Sequence, residues 1–590
     1  MDRITNSLLK EFNQNIGMDD KNETLNFEYF VNYSIICDAY GTNDFDLMDI
    51  TTGSSTQGMD GIGIIVNQKL VTTTADISEL IELNQSMSVK FVIIQTKTST
   101  HFDNKELGNL FTYAKLYFGD NNDGLFSTDE MKRFLELKNY IFDHGNKLRK
   151  NPELDLYYVT LGTWNEKDLN LTEAVKDGKG NLKGTNLFSS VEFHPIGSSE
   201  IQNLYRKTKE KLTATFDFNK RVTMYSDKEN AKEVGYCGVI PFREFRKLLL
   251  NENGATKPVF EDNIRDYLGP TEDVNQSVKD TLSKGENNSF CMLNNGVVVV
   301  TTSINIAGDT ATIEDYQIVN GCQTCNILLD NMETAPNIDE LMIPIRIIAT
   351  QNENLKNDIT RATNRQTAIK KEQLEALSTF QKKLEEYYKS YTEADSLVYE
   401  RRSGQYRDGS IAKNRIITIP IQIKTVAAMF LNQPSEVSGQ YGTVAKKVGD
   451  KIFKVTDIPI IYYVSSLTYY KIDNLFRTGK LNKKYRRSRY HVMMIFRIIA
   501  SSEAMPRFNA KKMENYCQNL LNILNNDIVC ERYFSEIVNY IISVADEIDI
   551  YNRKCFERRE TTKYFMDHIS HIASYLENNM TVSNCEKIFK

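Results

Sequence analysis

The segment Val89–Gln95 (VKFVIIQ) constrains the fold more than any other. Five of its seven residues are apolar, and four of those, Val89, Val92, Ile93 and Ile94, are β-branched. Such a run packs well on a pleated surface and reads as a buried strand. Helical periodicity surrounds it. Asn26–Ala39 carries apolar residues at helical spacing, Asp60–Val66 (DGIGIIV) reads as a strand stopping at the turn pair Asn67-Gln68, and Ile77–Leu83 fits one or two helical turns. Further on, Lys105–Phe118 and Asp129–Asp143 read as helices, Leu156–Leu161 as a strand, Val191–His194 as a short extended piece and Glu200–Phe216 as a helix. Helices interleaved with strands predict an α/β sandwich order for residues 1–215.

The rest of the chain changes character. Strands are expected at Gly238–Pro241, within Ser289–Ile306, at Ala311–Val319 and at Met342–Thr350. Long helices follow at Ala368–Tyr391, Thr418–Asn432 and Tyr462–Arg477, and the tail reads as all-helical, with candidates at Asn509–Asn525, Tyr533–Asp549 and Thr561–Asn578. At 590 residues, about three domains are expected. The expected fold is α+β and multidomain: an α/β domain over 1–215, a mixed α/β domain over 216–478 and a helical region over 479–590. The least structured joints are expected at Lys176–Thr185, rich in Gly and Lys, and at Gly404–Gly409.

A net charge of −6 excludes a basic surface over the whole molecule but leaves room for a local basic channel. Nine scattered cysteines, an odd count, and a polar Met1–Lys10 with no apolar core predict reduced thiols in a cytoplasmic protein. The longest apolar stretch, Ile416–Leu431, is broken by Gln422 and Lys424, so no membrane span is expected.

Asp60 heads one strand, and Gln95-Thr96-Lys97 ends the next strong one. Residues two apart on a strand share a face, so Gln95 and Lys97 point the same way. Asp60 on the neighbouring strand can join them, and Glu28 can approach from the preceding helix. The set offers two carboxylates, an amide oxygen, the Thr96 carbonyl and an ammonium. Hard oxygen ligands suit Mg²⁺ or Mn²⁺. Such an ion can activate a water and stabilise charge on a phosphodiester, with a lysine beside it to hold or deprotonate that water.

This order of pieces, Glu28 on the first helix, Met59-Asp60-Gly61 on a strand and Gln95-Thr96-Lys97 on the next, resembles the PD-(D/E)XK nuclease superfamily in its restriction-endonuclease-like, Mrr-type branch. The resemblance implies a nuclease domain with Glu28, Asp60, Gln95 and Lys97 as catalytic residues and Glu28, Asp60 and Gln95 as ligands of Mg²⁺ or Mn²⁺. It also implies nucleic acid, DNA first, as substrate, and a homodimer in which two copies of the site cut both strands. The departure is Gln95, where many members carry Glu; an amide holds a divalent ion more weakly than a carboxylate. A second class stays open, a non-catalytic nucleic-acid-binding or ligand-sensing protein, in which the middle domain recognises a ligand and the front domain only grips.

The central region carries a second constellation. It reads Phe290-Cys291-Met292-Leu293-Asn294-Asn295-Gly296 before Val297–Val300, then Asp315-Tyr316-Gln317-Ile318-Val319-Asn320-Gly321-Cys322-Gln323-Thr324. Upstream lie Phe260, Asn263, Arg265, Tyr267-Leu268-Gly269 and Val274-Asn275; downstream lie Ile359–Gln366 and Tyr399-Glu400-Arg401-Arg402. Together these resemble the AIPR family, named for abortive-infection phage resistance, over roughly residues 235–475. The resemblance implies bacterial anti-phage defence, with room for a phage-derived or nucleotide trigger. The last hundred or so residues match nothing.

Physically, Asn294-Asn295-Gly296 and Asn320-Gly321 read as turns, the latter opening onto a helix over Gln323–Leu329. A helix N-terminus approached through glycine can bind phosphate. Asn294, Asn295, Asn320, Gln323, Arg361, Asn364, Arg401 and Arg402 are therefore candidates for a polar pocket that takes nucleotide or nucleic acid; the alternative is that they satisfy buried turns. Lys480–Tyr490 (KLNKKYRRSRY) holds six basic residues among eleven and no acidic one. Lys483, Lys484, Arg486 and Arg487 are candidate phosphate contacts; the alternative is a solvated face or salt bridging. Cys322 and Cys325 lack a second pair for zinc and read as buried small residues, while His568 and His571 lack a third ligand. No G-x-x-x-x-G-K-[ST] loop occurs, so ATP hydrolysis is not expected.

Overall fold

The computed structural model describes residues 1–581 apart from 19–21, 44, 54–57, 120–125, 227–232, 252–253, 255, 258, 261–281, 283–289, 293, 333–334, 364–370, 392–395, 402–404, 407–408, 439–443, 445–450, 502 and 553. Two compact units divide the chain: the first takes Met1–Leu9 and Phe27–Ala368, the second Lys10–Asn26 and Ile369–Lys590. The two boundaries nearest the N-terminus fall inside helices, α1 (Arg3–Ile16) and α2 (Glu23–Tyr40).

The first unit opens with a five-stranded sheet. Its strands are β1 (Gly61–Val66), β2 (Lys69–Leu70), β3 (Val89–Thr96), β4 (Glu153–Val159) and β5 (Ser190–Ile196), in the order β2-β1-β3-β4-β5. β1 runs antiparallel to β3, whereas β3, β4 and β5 are parallel. β3 sits at the centre and is buried along nearly all its length, as its β-branched run requires. Between the strands come α3 (Thr74–Asn84), α4 (Asn104–Phe118), α5 (Asp129–Asp143) and α6 (Leu169–Lys183). Their apolar faces close a core with Ile62, Ile64, Phe91, Ile93, Leu154 and Leu156.

The other side of β1 is built for close approach. A Cβ on Gly61 would lie 2.4 Å from Asn32 Oδ1, and one on Gly63 2.4 Å from Ile36 Cδ1. Two glycines on alternate positions thus let α2 lie directly on the strand.

Three expectations are corrected here. Lys176–Thr185 is not a loose joint: most of it is the last two turns of α6. Asp168 caps that helix by accepting from Asn170 N at 3.0 Å, and Gly178 sits where a Cβ would come within 2.3 Å of the Phe111 ring on α4. The glycine that suggested looseness is what allows the two helices to touch. Ile77–Leu83 belongs to a full eleven-residue helix, closed at its start by a reciprocal Thr73–Asp76 capping box. Glu200–Phe216 is helical only over α7 (Ser198–Lys207); β6 (Thr213–Asp217) follows, with Ala214 and Phe216 buried and their neighbours exposed, a period of two.

β6 crosses the 215/216 boundary expected from sequence and joins the central strands. With β7 (Arg221–Ser226), β8 (Val234–Pro241), β9 (Val297–Thr301), β10 (Ser303–Ala307), β11 (Thr310–Glu314), β12 (Gln317–Asn320) and β13 (Met342–Ala349), it forms two sheets, β10-β11-β6 and β12-β9-β13-β8-β7. Helix α8 (Phe242–Leu249) and helix α9 (Cys322–Asp330) pack with them on one core that includes Phe242, Phe245, Val299, Ile318, Leu328 and Ile345. Helix α10 (Glu353–Thr363) follows β13.

The second unit is helical, with one small parallel pair, Val398–Glu400 and Ile416–Thr418. Its core gathers residues from Lys371–Lys389 (α11), Ile419–Phe430 (α12), Ile460–Arg477 (α13), Arg489–Ala500 (α14), Lys512–Leu524 (α15), Asp527–Ser543 (α16), Arg559–Asp567 (α17) and Ile569–Thr581 (α18). Gln422, which breaks the apolar stretch in the sequence, is fully buried; its Oε1 accepts from Tyr388 Oη at 2.7 Å and its Nε2 donates to the Tyr462 carbonyl at 3.0 Å. The N-terminal segment of this unit is held by Arg477, which donates to the Ile16 carbonyl at 2.6 Å, and by a close approach of Gly17, at φ +65°, to Asn414. Among the described residues no helix is long and apolar enough to cross a membrane, and none of the eight described cysteines forms a disulfide.

Candidate functional site

At the end of the β1/β3 pair the register sets Asp60 beside Gln95. Gly61 pairs with Ile94, and Asp60 N donates to the Ile94 carbonyl at 2.7 Å. The Asp60 carboxylate is then fixed by Thr96 N–H, which donates to Oδ2 at 2.6 Å. From α2, Asn32 donates to the Asp60 carbonyl at 2.9 Å. Glu28 lies one helical turn before Asn32, and its carboxyl feels the charges of both Asp60 and Lys97. The four residues expected to meet, Glu28, Asp60, Gln95 and Lys97, are brought into one electrostatic neighbourhood.

The surroundings raise both acids. Burial, and then the charge of Asp60, push Glu28 up to about 7, with Lys97 pulling the other way. Burial pushes Asp60 up to about 6, against the Thr96 N–H and the Lys97 charge, while Glu106 adds to the rise. Both carboxyls are thus raised by burial, with Lys97 only partly offsetting it.

Glu106 is the residue that sequence reasoning missed. It stands in the first turn of α4, where its N–H and that of Lys105 are capped by Asp103 at 3.0 and 2.9 Å. Its Oε2 accepts from Gln95 Nε2 at 3.0 Å and lies 3.2 Å from Lys97 Nζ. The available signal was an acid nine residues beyond Lys97, easily read as ordinary helix-start charge. Gln95 is fully buried, and its Oε1 has no hydrogen-bond partner. Among the described residues no group of three or more His, Cys, Asp or Glu is arranged to hold a metal ion.

Because Gly61 admits α2, it governs how Glu28 reaches Asp60. Gly61→Ala is expected to cost about 1–3 kcal/mol through overpacking against Asn32. It should also lower the Glu28 pKa by moving it off Asp60, measurable by NMR titration of the metal-free protein. An unchanged Glu28 titration would show that the glycine does not set the distance.

The central candidates divide. Thr324 donates to Asn294 Oδ1 at 3.4 Å, Asn320 Nδ2 donates to the Thr363 carbonyl, and a Cβ on Gly321 (φ +95°) would lie 3.0 Å from the Gly296 carbonyl. The three segments around Asn294, Asn320 and Thr363 therefore meet. Asn295 is exposed. The side chains of Gln323 and Arg361, and residues Asn364 and Arg402, lie outside the described residues. Arg401 belongs to the second unit, where its Nε lies 2.8 Å from Glu385 Oε2. Burial would raise Glu385, but hydrogen bonds from Arg401, Lys389 and Gln405 outweigh it and hold the carboxyl at about 2. Arg401 is thus spent on an internal ion pair.

In the basic stretch Arg486 is buried, its Nε and Nη2 donating to Asp473 Oδ1 at 3.0 and 2.8 Å, so the candidate phosphate contact is corrected to a partner in an internal ion pair. Lys484 is exposed, with its ammonium 4.4 Å from the Tyr551 ring centre; Lys483 and Arg487 are half-buried. Cys325 is buried and Cys322 half-buried at the start of α9. His568 and His571 face each other edge-on at 5.8 Å, and His568 Nδ1 lies 2.9 Å from the Tyr564 carbonyl.

The family model described as AIPR protein matches residues 260–581, more than half of the chain. The chain belongs to the AIPR family. No curated protein and no solved structure gives a match. In this AIPR protein the family region runs well beyond residue 475, through α14 to α18, so the C-terminal helices that match nothing on inspection of the sequence belong to the family's own extent. It also spans parts of both units, including the meeting of Asn294, Asn320 and Thr363 in the first and the Glu385–Arg401 pair in the second.

Proposed function

We propose that this AIPR protein acts in bacterial anti-phage defence of the abortive-infection type, and that its front domain is a divalent-metal-dependent nuclease cutting DNA phosphodiester bonds. What supports the nuclease reading above all is the convergence of Asp60, Gln95 and Lys97 at one end of β1 and β3, with Glu28 within electrostatic reach. The residues suit a hard cation: Gln95 Oε1 is a buried acceptor with no donor, and Asp60 and Glu28 are carboxyls raised by burial. Glu28, Asp60 and Gln95 would hold Mg²⁺ or Mn²⁺, which when bound supplies an activated water and stabilises charge on the phosphodiester.

The chain's own groups do the rest. Thr96 N–H keeps the Asp60 carboxylate from rotating. Lys97, 38% exposed at its side chain, can donate to a water or a phosphate oxygen from where it stands. Glu28 can take a proton near neutral pH, and a cation beside it would draw that proton off. Among the described residues the chain offers one such site, so cutting both strands calls for two copies, as in a two-fold homodimer, or for two successive nicks.

A second reading has an observation behind it as well. The lack of a three-membered acidic or His/Cys group among the described residues favours a front domain that binds nucleic acid without cutting it. Incubation of supercoiled plasmid with Mg²⁺ or Mn²⁺ separates the two. Cleavage that disappears in Lys97→Ala is expected, with loss of about two to four orders of magnitude in rate. Retention of DNA with no cutting in either metal would make the second reading the correct one.

A further inference from the structure

An amide in place of a carboxylate is the weak point of this site, and the structure contains a device that offsets it. A carboxylate accepts hydrogen bonds and cannot donate them, so the Gln95 amide must turn its Nε2 to Glu106. That choice fixes the other end: Oε1 is left buried, unpartnered and unable to exchange places with the nitrogen. A buried orphan acceptor is costly unless something electropositive meets it. The same Glu106 Oε2 lies 3.2 Å from Lys97 Nζ, so one oxygen sets the orientation of two members of the site.

We propose that Glu106 is a positioning residue that makes the Gln95 amide an oxygen ligand for the divalent cation. This rests on the metal-nuclease reading above. Glu106 acts in two ways. It excludes the amide rotamer that would present N–H groups to the cation, and by accepting from Nε2 it draws electron density toward Oε1, strengthening it as a ligand. Gln-x-Lys followed by an acid in the first turn of the next helix then serves where a second strand carboxylate would otherwise stand.

Titration calorimetry of the full chain with Mn²⁺ alone, without nucleic acid, tests this. Glu106→Gln is expected to weaken Mn²⁺ binding about tenfold or more, because a glutamine at 106 can also donate and the Gln95 amide is free to turn over. Glu106→Asp, which keeps the charge but withdraws the acceptor, is expected to do the same. The decisive comparison is in a Gln95→Glu background. A carboxylate at 95 shows oxygen to the cation either way round, so Glu106→Gln should then cause no loss. An equal loss in both backgrounds would mean that Glu106 acts through its own charge or as a direct ligand, and would overturn the proposal. Wild-type affinity in Glu106→Gln would overturn it too, while leaving the metal reading intact. A wild-type protein that takes up no Mn²⁺ would bring down the metal reading and the proposal together.

Discussion

Replacing Asp60 with asparagine is expected to lower Mg²⁺-dependent cleavage by about three orders of magnitude or more, while making the metal-free protein more stable at pH 8. Both effects have one origin. Burial holds the Asp60 carboxyl at about 6 instead of 3.8, despite the Thr96 N–H and Lys97. Below about pH 4 the carboxyl is protonated whether the chain is folded or not, and it costs nothing. Between about pH 4 and 6 the unfolded chain ionises first and the folded state loses ground; above about 6 the loss is complete. At roughly 1.4 kcal/mol per pH unit it amounts to about 2–3 kcal/mol. Asparagine has no proton to lose and removes this fall. Glu28, held at about 7 by burial and by the charge of Asp60, continues the decline toward neutral pH in the wild type, and should titrate lower in the variant. Urea unfolding in EDTA at pH 5 and pH 8 reads the effect. If wild type and Asp60→Asn lose the same stability between these pH values, Asp60 does not carry the strain assigned to it.

The largest purely structural effect is expected at Asp473. Its side chain is 4% exposed and neutralises both Arg486 and Arg477, the latter at 2.5 Å. Asp473→Ala would remove the carboxylate that both Nε and Nη2 of the buried Arg486 bind, a loss of about 3–5 kcal/mol. Arg487→Ala, one residue further along the same basic stretch, should cost less than about 0.5 kcal/mol. Calorimetric melting of the two variants would show the contrast. Similar small shifts for both would mean that Arg486 finds water when its partner is removed, and would return it to the candidates for phosphate contact.

Much of the front sheet was legible because its signals are local. The β-branched run of β3 and the glycine-isoleucine alternation of β1 each announce a strand, and period two places Gln95 with Lys97 without reference to anything else. Glu106 was not legible, because its meaning depends on the direction in which α4 leaves the sheet, and that direction is set by packing. Gly178 misled for the same reason: composition suggests a loop, whereas contact with Phe111 demands a glycine in a helix. The Glu200–Phe216 misreading arose where five residues of strand follow a genuine helix too closely for their period to stand out. Arg401 and Arg486 show the limit of charge as a signal. A guanidinium reads alike in sequence whether it meets a phosphate or, as here, Glu385 or Asp473. The tail's helices were visible in their apolar spacing, but amphipathic spacing is shared by many families and identifies none.

Residues 10–26 belong to the helical unit, yet nearly 350 residues of the first unit separate them from the rest of it. On the ribosome, synthesis at about 5–20 residues per second gives that interval a duration of roughly 20–70 s. Throughout this time Ile16 and Gly17 have been made but Asn414 and Arg477 have not, while the last strand of the front sheet, ending at Ile196, is finished about halfway through it. The front sheet can therefore assemble long before the segment just upstream of Glu28 acquires its final neighbours.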